Sequence, residues 1–459
     1  MKHEHAVVVG GSFAGFTAAR VLLDHFEHVT VIERDEFPDA LTPRKGVPQS
    51  PHVHGILKLG RDLLEDLLPG FIADTERNGA VLFDQIATGA MYSPTGWSAR
   101  GRSNVLGYGV RRALLEYVAR ERVRALPGVT FVRGRVDGLL ADPSSLRVYG
   151  VTVDQSDDGT SRIEGDLVVD AGGRASAAPA WLEAAGLTPP EETLINGFVG
   201  YASRWVRVPD DAWPGDMRFI AQLPMPGQTK GAILYPQDNG LHVISLFGHS
   251  RDYPPGDEQQ FMSFLSECTV PLFHPVVERA EVVSAISTSR STANRWRHYE
   301  RLTTLPTGFI AIGDAVATAN PIFGQGISNA VMGSVMLGRT IGDLEGDLDR
   351  LPAVFPQELA QRLAYPWQMA VGFDLRFPAT IGERPEPTPE AVEMGHYMNV
   401  LAQMGTVDVE VVEALLIANQ TYNPGLLRDP ELVAKAEQWV ADGRTPANTD
   451  PARPPRLAA

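Results

Sequence analysis

Apolar residues along this chain fall into two patterns, and the change from one to the other marks its organisation. Near the start, Ala6–Val9 is an unbroken apolar run and Val29–Ile32 is interrupted only by Thr30, with a helical stretch, Ala14–Phe26, between them. Short continuous apolar strands alternating with helices are the signature of a parallel sheet covered on both faces. Strands of this kind return at Asp166–Val169 and Gly308–Ile312, and helices are expected over Arg112–Leu126 and Gly326–Ile341. Further strands are expected at Val129–Val136 and Leu146–Val153. Between Phe198 and Phe247 the pattern changes. Phe198–Val208, Arg218–Leu223, Gly231–Tyr235 and Leu241–Leu246 are strand-like runs separated by turn residues such as Asp238–Gly240. Closely spaced runs with turns between them predict a mainly antiparallel sheet, and so a second domain. Pro378–Glu390 reads as a linker and Ala391–Val440 as mostly helical. The Pro- and Ala-rich stretch Arg444–Ala459 reads as disordered.

Composition narrows the possible roles. The 459 residues are 44% hydrophobic and 21% charged, ordinary for a globular protein with room for about three domains. Acidic residues outnumber basic ones 56 to 40, giving a net charge of -16. A nucleic-acid partner held through phosphate contacts is therefore not expected. Cys268 is the single cysteine, which excludes an internal disulfide framework and fits a reducing compartment. Met1–His5 runs straight into an apolar strand without the apolar core of a signal peptide, so a cytoplasmic location is expected. The uncharged 24-residue run Ala315–Gly338 raises the membrane question. Asn320, Pro321, Gln325 and Asn329 make it a poor lipid-facing helix, and stable membrane insertion is not expected.

Two motifs carry chemistry. The first is Gly10-Gly11-Ser12-Phe13-Ala14-Gly15, between the first strand and the first helix. It is a G-x-G-x-x-G loop with Ser12 at the middle glycine. Small residues there let backbone N–H groups and a helix N-terminus approach a pyrophosphate. Glu33 ends the next strand, 18 residues past Gly15, where an acid accepts hydrogen bonds from ribose hydroxyls. The second motif runs Phe309-Ile310-Ala311-Ile312-Gly313-Asp314, then Pro321-Ile322-Phe323-Gly324-Gln325-Gly326. A buried strand delivers Asp314 into a loop, and a Pro/Gly turn opens a helix whose dipole favours an electron-rich group. The bland alternatives are a tight strand–helix turn with an incidental Glu, and a strand–turn–helix that binds nothing.

Together these motifs resemble the FAD-binding halves of the group A, or aromatic-hydroxylase-fold, flavin monooxygenases, over roughly residues 5 to 370. The resemblance implies that Gly10, Ser12, Gly15 and Glu33 hold the ADP part of FAD. It places Asp314 on the ribityl-pyrophosphate side and Pro321, Gly324 and Gly326 at the isoalloxazine border. Gly11, Phe13, Ala14, Arg34, Arg44, Arg112, Val136, Gln325 and Ile327 complete the implied cofactor site, with Arg34, Arg44 and Arg112 as its positive charges. Arg44-Lys45-Gly46-Val47-Pro48-Gln49-Ser50-Pro51-His52-Val53-His54 and Tyr108–Glu116 resemble the polyketide and polyether epoxidase branch, which also includes redox-silent FAD-binding cyclases. His52 and His54 are read as loop residues beside flavin or substrate, since an isolated H-x-H pair is a poor metal site. In the Asp166–Arg174 run Gly172 stands where the wider family carries an Asp, which leaves NAD(P)H use open. The Trp-x-Trp-x-Ile-Pro signature of flavin halogenases is absent.

The expected fold is α/β (α+β overall). A Rossmann-like FAD-binding domain (1–80, 105–175, 285–345) interleaves with an antiparallel sheet domain for substrate (81–104, 176–284). A helical region (346–443) that caps the cavity and a tail (444–459) follow. The implied reaction is monooxygenation, as epoxidase or hydroxylase, of a polyketide-type natural product through a flavin C4a-hydroperoxide. The alternative is a cyclase that folds a linear polyene while its FAD stays oxidised. A reductase of isoprenoid double bonds and a binding module without activity are further readings. No catalytic residue is assigned, because the cofactor carries such chemistry. Tyr201, Arg204, Phe219, Tyr235 and His242 are candidate cavity residues, with Arg204 the anchor for any acidic group on a hydrophobic substrate. The oligomeric state is left open.

Overall fold

The computed structural model describes residues 2–155 and 159–458. Its centre is a five-stranded parallel sheet. β1 (His3–Val9) lies between β2 (Phe26–Glu33) and the 167–170 strand, with 129–133 and 309–311 at the edges. Ala6, Val7 and Val8 are fully buried, as expected of a strand covered on both faces. α1 (Phe13–Leu22) crosses one face. It stops short of the expected Phe26, because Asp24 and His25 close a turn back onto Val21 and Leu22 and Phe26 already starts β2. The Gly326–Asp343 helix lies beside α1. Small residues let the two approach: Thr17 Oγ1 donates to Ser334 Oγ (2.8 Å), and a Cβ on Gly338 would stand 3.0 Å from Val21 Cβ. A three-stranded antiparallel sheet (135–142, 147–154, 160–164) is attached to this layer. No sequence signal marked its last strand.

The second unit is an eight-stranded mixed sheet built around 200–207, 242–248, 230–236 and 219–222. The main pairings are antiparallel, but 89–93 adds to 219–222 in parallel. One face packs on the 258–266 and 273–278 helices, enclosing Ala202, Val206, Ile220, Leu234, Ile244, Leu246 and Phe261 in a core of its own. Two boundaries shift from those read in the sequence. Ala178, Leu182 and Leu187 pack in the larger core, while 287–289 pairs with 200–207 and extends the sheet past residue 284.

A 25-residue helix (351–375) leads to three further helices, 389–404, 409–421 and 430–441. Val412 packs with Ile86, Ala99 and Val105 of the sheet unit. Tyr422 donates to Asn329 Oδ1 (2.8 Å) on the Gly326–Asp343 helix. The stretch read as disordered is instead pinned to the rest of the chain. Trp97 N–H and Nε1–H donate to the Asn448 and Asp450 carbonyls, both at 2.9 Å, and Ala458 N–H donates to the Arg100 carbonyl (3.0 Å). Backbone hydrogen bonds of this kind do not register in composition. Ala459 lies outside the described residues. Among the described residues no helix is long and apolar enough to cross a membrane.

Candidate functional site

The glycine loop is shaped by contacts that exclude side chains. Gly10 has φ +104°, and a Cβ there would stand 2.5 Å from the Ala171 carbonyl oxygen; one on Gly15 would stand 1.8 Å from the Gly10 carbonyl oxygen. No side chain caps α1, whose first residues are Phe13, Ala14 and Gly15. An uncapped helix N-terminus with close-packed backbone is an anion cradle. Arg112 supplies charge beside it: Nη2 donates to Ser12 Oγ (3.0 Å) and the guanidinium lies 5.1 Å from the Phe13 ring centre. Arg112 Nε is buried without a hydrogen-bond partner. Burial lowers its pKa, with Glu116 and Asp314 opposing the shift. A buried guanidinium with an unmade bond beside a helix N-terminus fits the pyrophosphate of a dinucleotide.

Arg44 lies at the glycine loop, its Nη2 donating to the Gly11 carbonyl oxygen (2.6 Å). It is held by carboxylates, its Nη1 3.0 Å from Glu33 and 3.3 Å from Asp35 and its Nε 3.0 Å from Glu116. Burial works against its charge, but Glu116 and Glu33 outweigh burial and raise its pKa. Glu33 in turn accepts from Gly11 N–H (2.8 Å) and Asp35 N–H (3.0 Å). Arg44 therefore organises the acidic corner of the cradle. Arg34 is exposed and stands outside this cluster, while Val136 is buried in the core just past Gly134, whose N–H donates to the Glu33 carbonyl (2.9 Å).

The second motif closes the other side. Asp314 makes no side-chain hydrogen bond among the described residues, and burial raises its pKa against the pull of Arg174 and Arg112. Pro321–Phe323 is a short 3-10 turn ended by Gly324 at φ +66°. The long helix then starts at Gly326 with no side-chain cap, and Ile327 is buried. Gln325 Oε1 is buried and unpartnered. Both motifs thus converge on one cleft with an open cation, an open carboxylate and two uncapped helix starts. This donor set fits FAD.

The other face of the sheet is also buried and packs on the loop that carries Val53. Side chains alternate along a strand, so Tyr201, Ser203 and Trp205 share this face with Val243, Ser245 and Phe247, and Phe219 and Tyr235 belong to it. Arg204 and His242 do not. Arg204 shares the other face with Ala202 and Val206, lies 5.1 Å from the Phe261 ring centre and pairs with Glu258. His242 lies against Trp213. The strand register, invisible in the sequence, puts both on the face that packs on the helices.

His52 and His54 sit on the loop between sheet and cleft. Val53 packs on the sheet face, and Gly55 approaches Tyr235 on one side and Gly324 on the other. Burial pushes the His52 pKa down to about 4; for His54, burial and then Arg112 push it to about 3.

One network has no signal in the sequence. Asp374, on the long helix, accepts from Asn320 Nδ2 (2.9 Å) and Asn294 Nδ2 (2.7 Å) and pairs with His249 (3.2 Å). Tyr201 OH donates to Asn320 Oδ1 (2.9 Å). Asn320 immediately precedes Pro321, so this fully buried web ties the sheet to the Pro321–Gly326 turn. It also occupies the Tyr201 hydroxyl, whose pKa is raised by burial and then by Asp374.

A parallel-sheet cradle interleaved with a mixed sheet is a fold this chain shares with solved flavin-dependent enzymes. The structure of the flavin-dependent brominase Bmp2 matches with TM-score 0.63 at 15% identity, over 96% of this chain and 100% of that one. The Diels-Alderase PyrE3 of pyrroindomycin biosynthesis matches with TM-score 0.60 at 17% identity, over 91% and 80%. Protein Rv3254 of Mycobacterium tuberculosis is 32% identical over 392 residues, 82% of this chain and 81% of its own. The chain belongs to the family of Protein Rv3254. A kynurenine 3-monooxygenase of Salinispora tropica is 26% identical over 386 residues, 79% of this chain and 77% of its own. No family model matches the sequence.

Proposed function

We propose that the protein is an FAD-dependent monooxygenase, an epoxidase or hydroxylase of a hydrophobic natural product of the polyketide type. The observation that carries this reading is the cleft itself: Arg112 Nε is buried without a partner beside the uncapped glycine-loop helix, and Asp314 stands opposite. Bound there, FAD supplies hydride acceptance and oxygen activation. The protein supplies the rest. The glycine loop and Arg112 bind the pyrophosphate, Glu33 the ribose and Asp314 a flavin side-chain hydroxyl, while the Pro321–Gly326 turn sets the ring. The apolar sheet face excludes water and orients the substrate, and the 409–421 helix and Tyr422 close the end of the space.

A second reading is a cyclase whose FAD stays oxidised. It is favoured by Gly172, which places no carboxylate beside Gly10, and is consistent with the fold shared with a Diels-Alderase. The two readings separate in one experiment. The purified protein should be yellow and release FAD on denaturation. NADPH should bleach it, with oxygen uptake that increases with substrate. Turnover of a linear polyene without mass gain, with the flavin oxidised throughout, would favour the cyclase.

A further inference from the structure

The His52–Ile56 loop crosses the space between sheet and flavin turn, and hydrogen-bond bookkeeping fixes which ring nitrogen of its first histidine carries the proton. Val53 N–H donates to Ser245 Oγ (3.3 Å). Ser245 and Ser203 face each other on neighbouring strands, fully buried, with their hydroxyl oxygens 2.6 Å apart. Ser203 Oγ lies 2.9 Å from His52 Nδ1. A backbone N–H only donates, and each hydroxyl has one proton to give. If Ser245 donates to Ser203 and Ser203 to His52 Nδ1, both buried hydroxyl protons find acceptors, and the imidazole proton falls to Nε2, the ring nitrogen that keeps some solvent access. In the reverse order, with Nδ1–H donating to Ser203, the Ser245 proton has no acceptor among the described residues. An unmade buried hydrogen bond shifts that balance roughly fivefold or more. The proton of the imidazole therefore sits on Nε2, which has no partner among the described residues and points away from the serines.

We propose that His52 is the substrate-orienting group of this site, its Nε2–H donating to a carbonyl or ether oxygen on an otherwise apolar substrate. The proposal rests on the reading of this space as the substrate side of a flavin site. The surroundings match: Val53, Tyr201 and Phe247 are apolar neighbours, and the Tyr201 hydroxyl is taken by Asn320. Burial keeps the ring neutral, so it offers a directional hydrogen bond and not a charge. This replaces the acid anchor expected of Arg204. His54 has the opposite form. Its Nδ1 lies 3.0 Å from the His52 carbonyl oxygen, which only accepts, so Nδ1 holds the proton and Nε2 is an acceptor.

Ring-nitrogen NMR of the full-length, histidine-labelled protein tests this directly, with the signals assigned from His52→Gln and His54→Gln. The expected result at neutral pH is a neutral His52 protonated on Nε2 and a neutral His54 protonated on Nδ1, with Ser203→Ala turning His52 into a mixture. Cyclododecanone and cyclododecane then serve as a matched probe pair, with binding followed by the His52 signal in wild type and by flavin absorbance in the variants. The ketone should bind roughly fivefold to tenfold more tightly than the hydrocarbon in the wild type, and the preference should vanish in His52→Phe. A His52 ring that is protonated on Nδ1 or charged would overturn the proposal. So would absent ketone binding, equal binding of the two probes, or a preference that survives His52→Phe. Neither readout needs turnover. A colourless protein would sink the proposed function and leave the tautomer result standing, whereas the wrong tautomer in a yellow protein would sink only the role of His52.

Discussion

The two walls of the cleft are built on opposite principles. The nucleotide wall gathers charge, with Arg44 and Arg112 set among Glu33, Asp35, Glu116 and Asp314. The sheet wall is mostly aromatic and aliphatic, with two serines and the neutral His52 of the adjoining loop, and Arg204 lies on its far face. A charged wall suits an anionic dinucleotide of fixed structure. A neutral wall suits an apolar substrate that must be dry and turned the right way. The difference teaches that the net charge of -16 says little about either ligand. What counts is which few charges are buried without full partners.

The contrast can be broken most severely at Gly15. A Cβ there would overlap the Gly10 carbonyl, so Gly15→Ala should abolish FAD retention, read as flavin-to-protein ratio after gel filtration. Arg112→Ala removes the buried guanidinium with an open bond beside the glycine loop. FAD affinity should fall roughly 10- to 100-fold, since hydrogen bonds to charged groups are worth about 1.5–3 kcal/mol. That loss is measurable by titrating apoprotein with FAD and following flavin fluorescence. Asp374→Leu should cost about 1–3 kcal/mol through the polar groups it leaves unpaired, seen as a lower denaturation midpoint. It should also alter the visible spectrum of bound flavin, because the turn after Asn320 loosens. The smallest effect is expected at Glu258, whose side chain is 64% exposed. Glu258→Gln should change stability by less than about 1 kcal/mol and leave probe binding unchanged. Impaired probe binding in that variant would return Arg204 to the cavity.

The same contrast explains what was legible in the sequence. The nucleotide wall is local: Gly10 and Gly15 are required by one turn, and Glu33 follows at the end of the next strand, so a single stretch of chain announces them. The sheet wall is not. Residue type alone puts Arg204 and His242 beside Tyr201, Phe219 and Tyr235, because one residue of register decides which face a side chain takes. The web of His249, Asn294, Asn320 and Asp374 joins four distant segments, and none of these residues stands in a motif that signals the others. Arg44 was legible as a charge at the site, but its role as partner to three carboxylates depends on Glu116, 72 positions away. The tail looked disordered because composition does not register the backbone groups that pin it to Trp97 and Arg100.

The central claim is that both motifs close on one dinucleotide, and flavin stoichiometry tests it most directly. Wild-type protein should purify yellow, or take up added FAD, to about one equivalent per chain, and Arg112→Ala should bind it far more weakly at unchanged thermal stability of the apoprotein. A wild-type protein that is colourless and binds no added FAD, or an Arg112→Ala variant that binds it as tightly as wild type, would contradict the account.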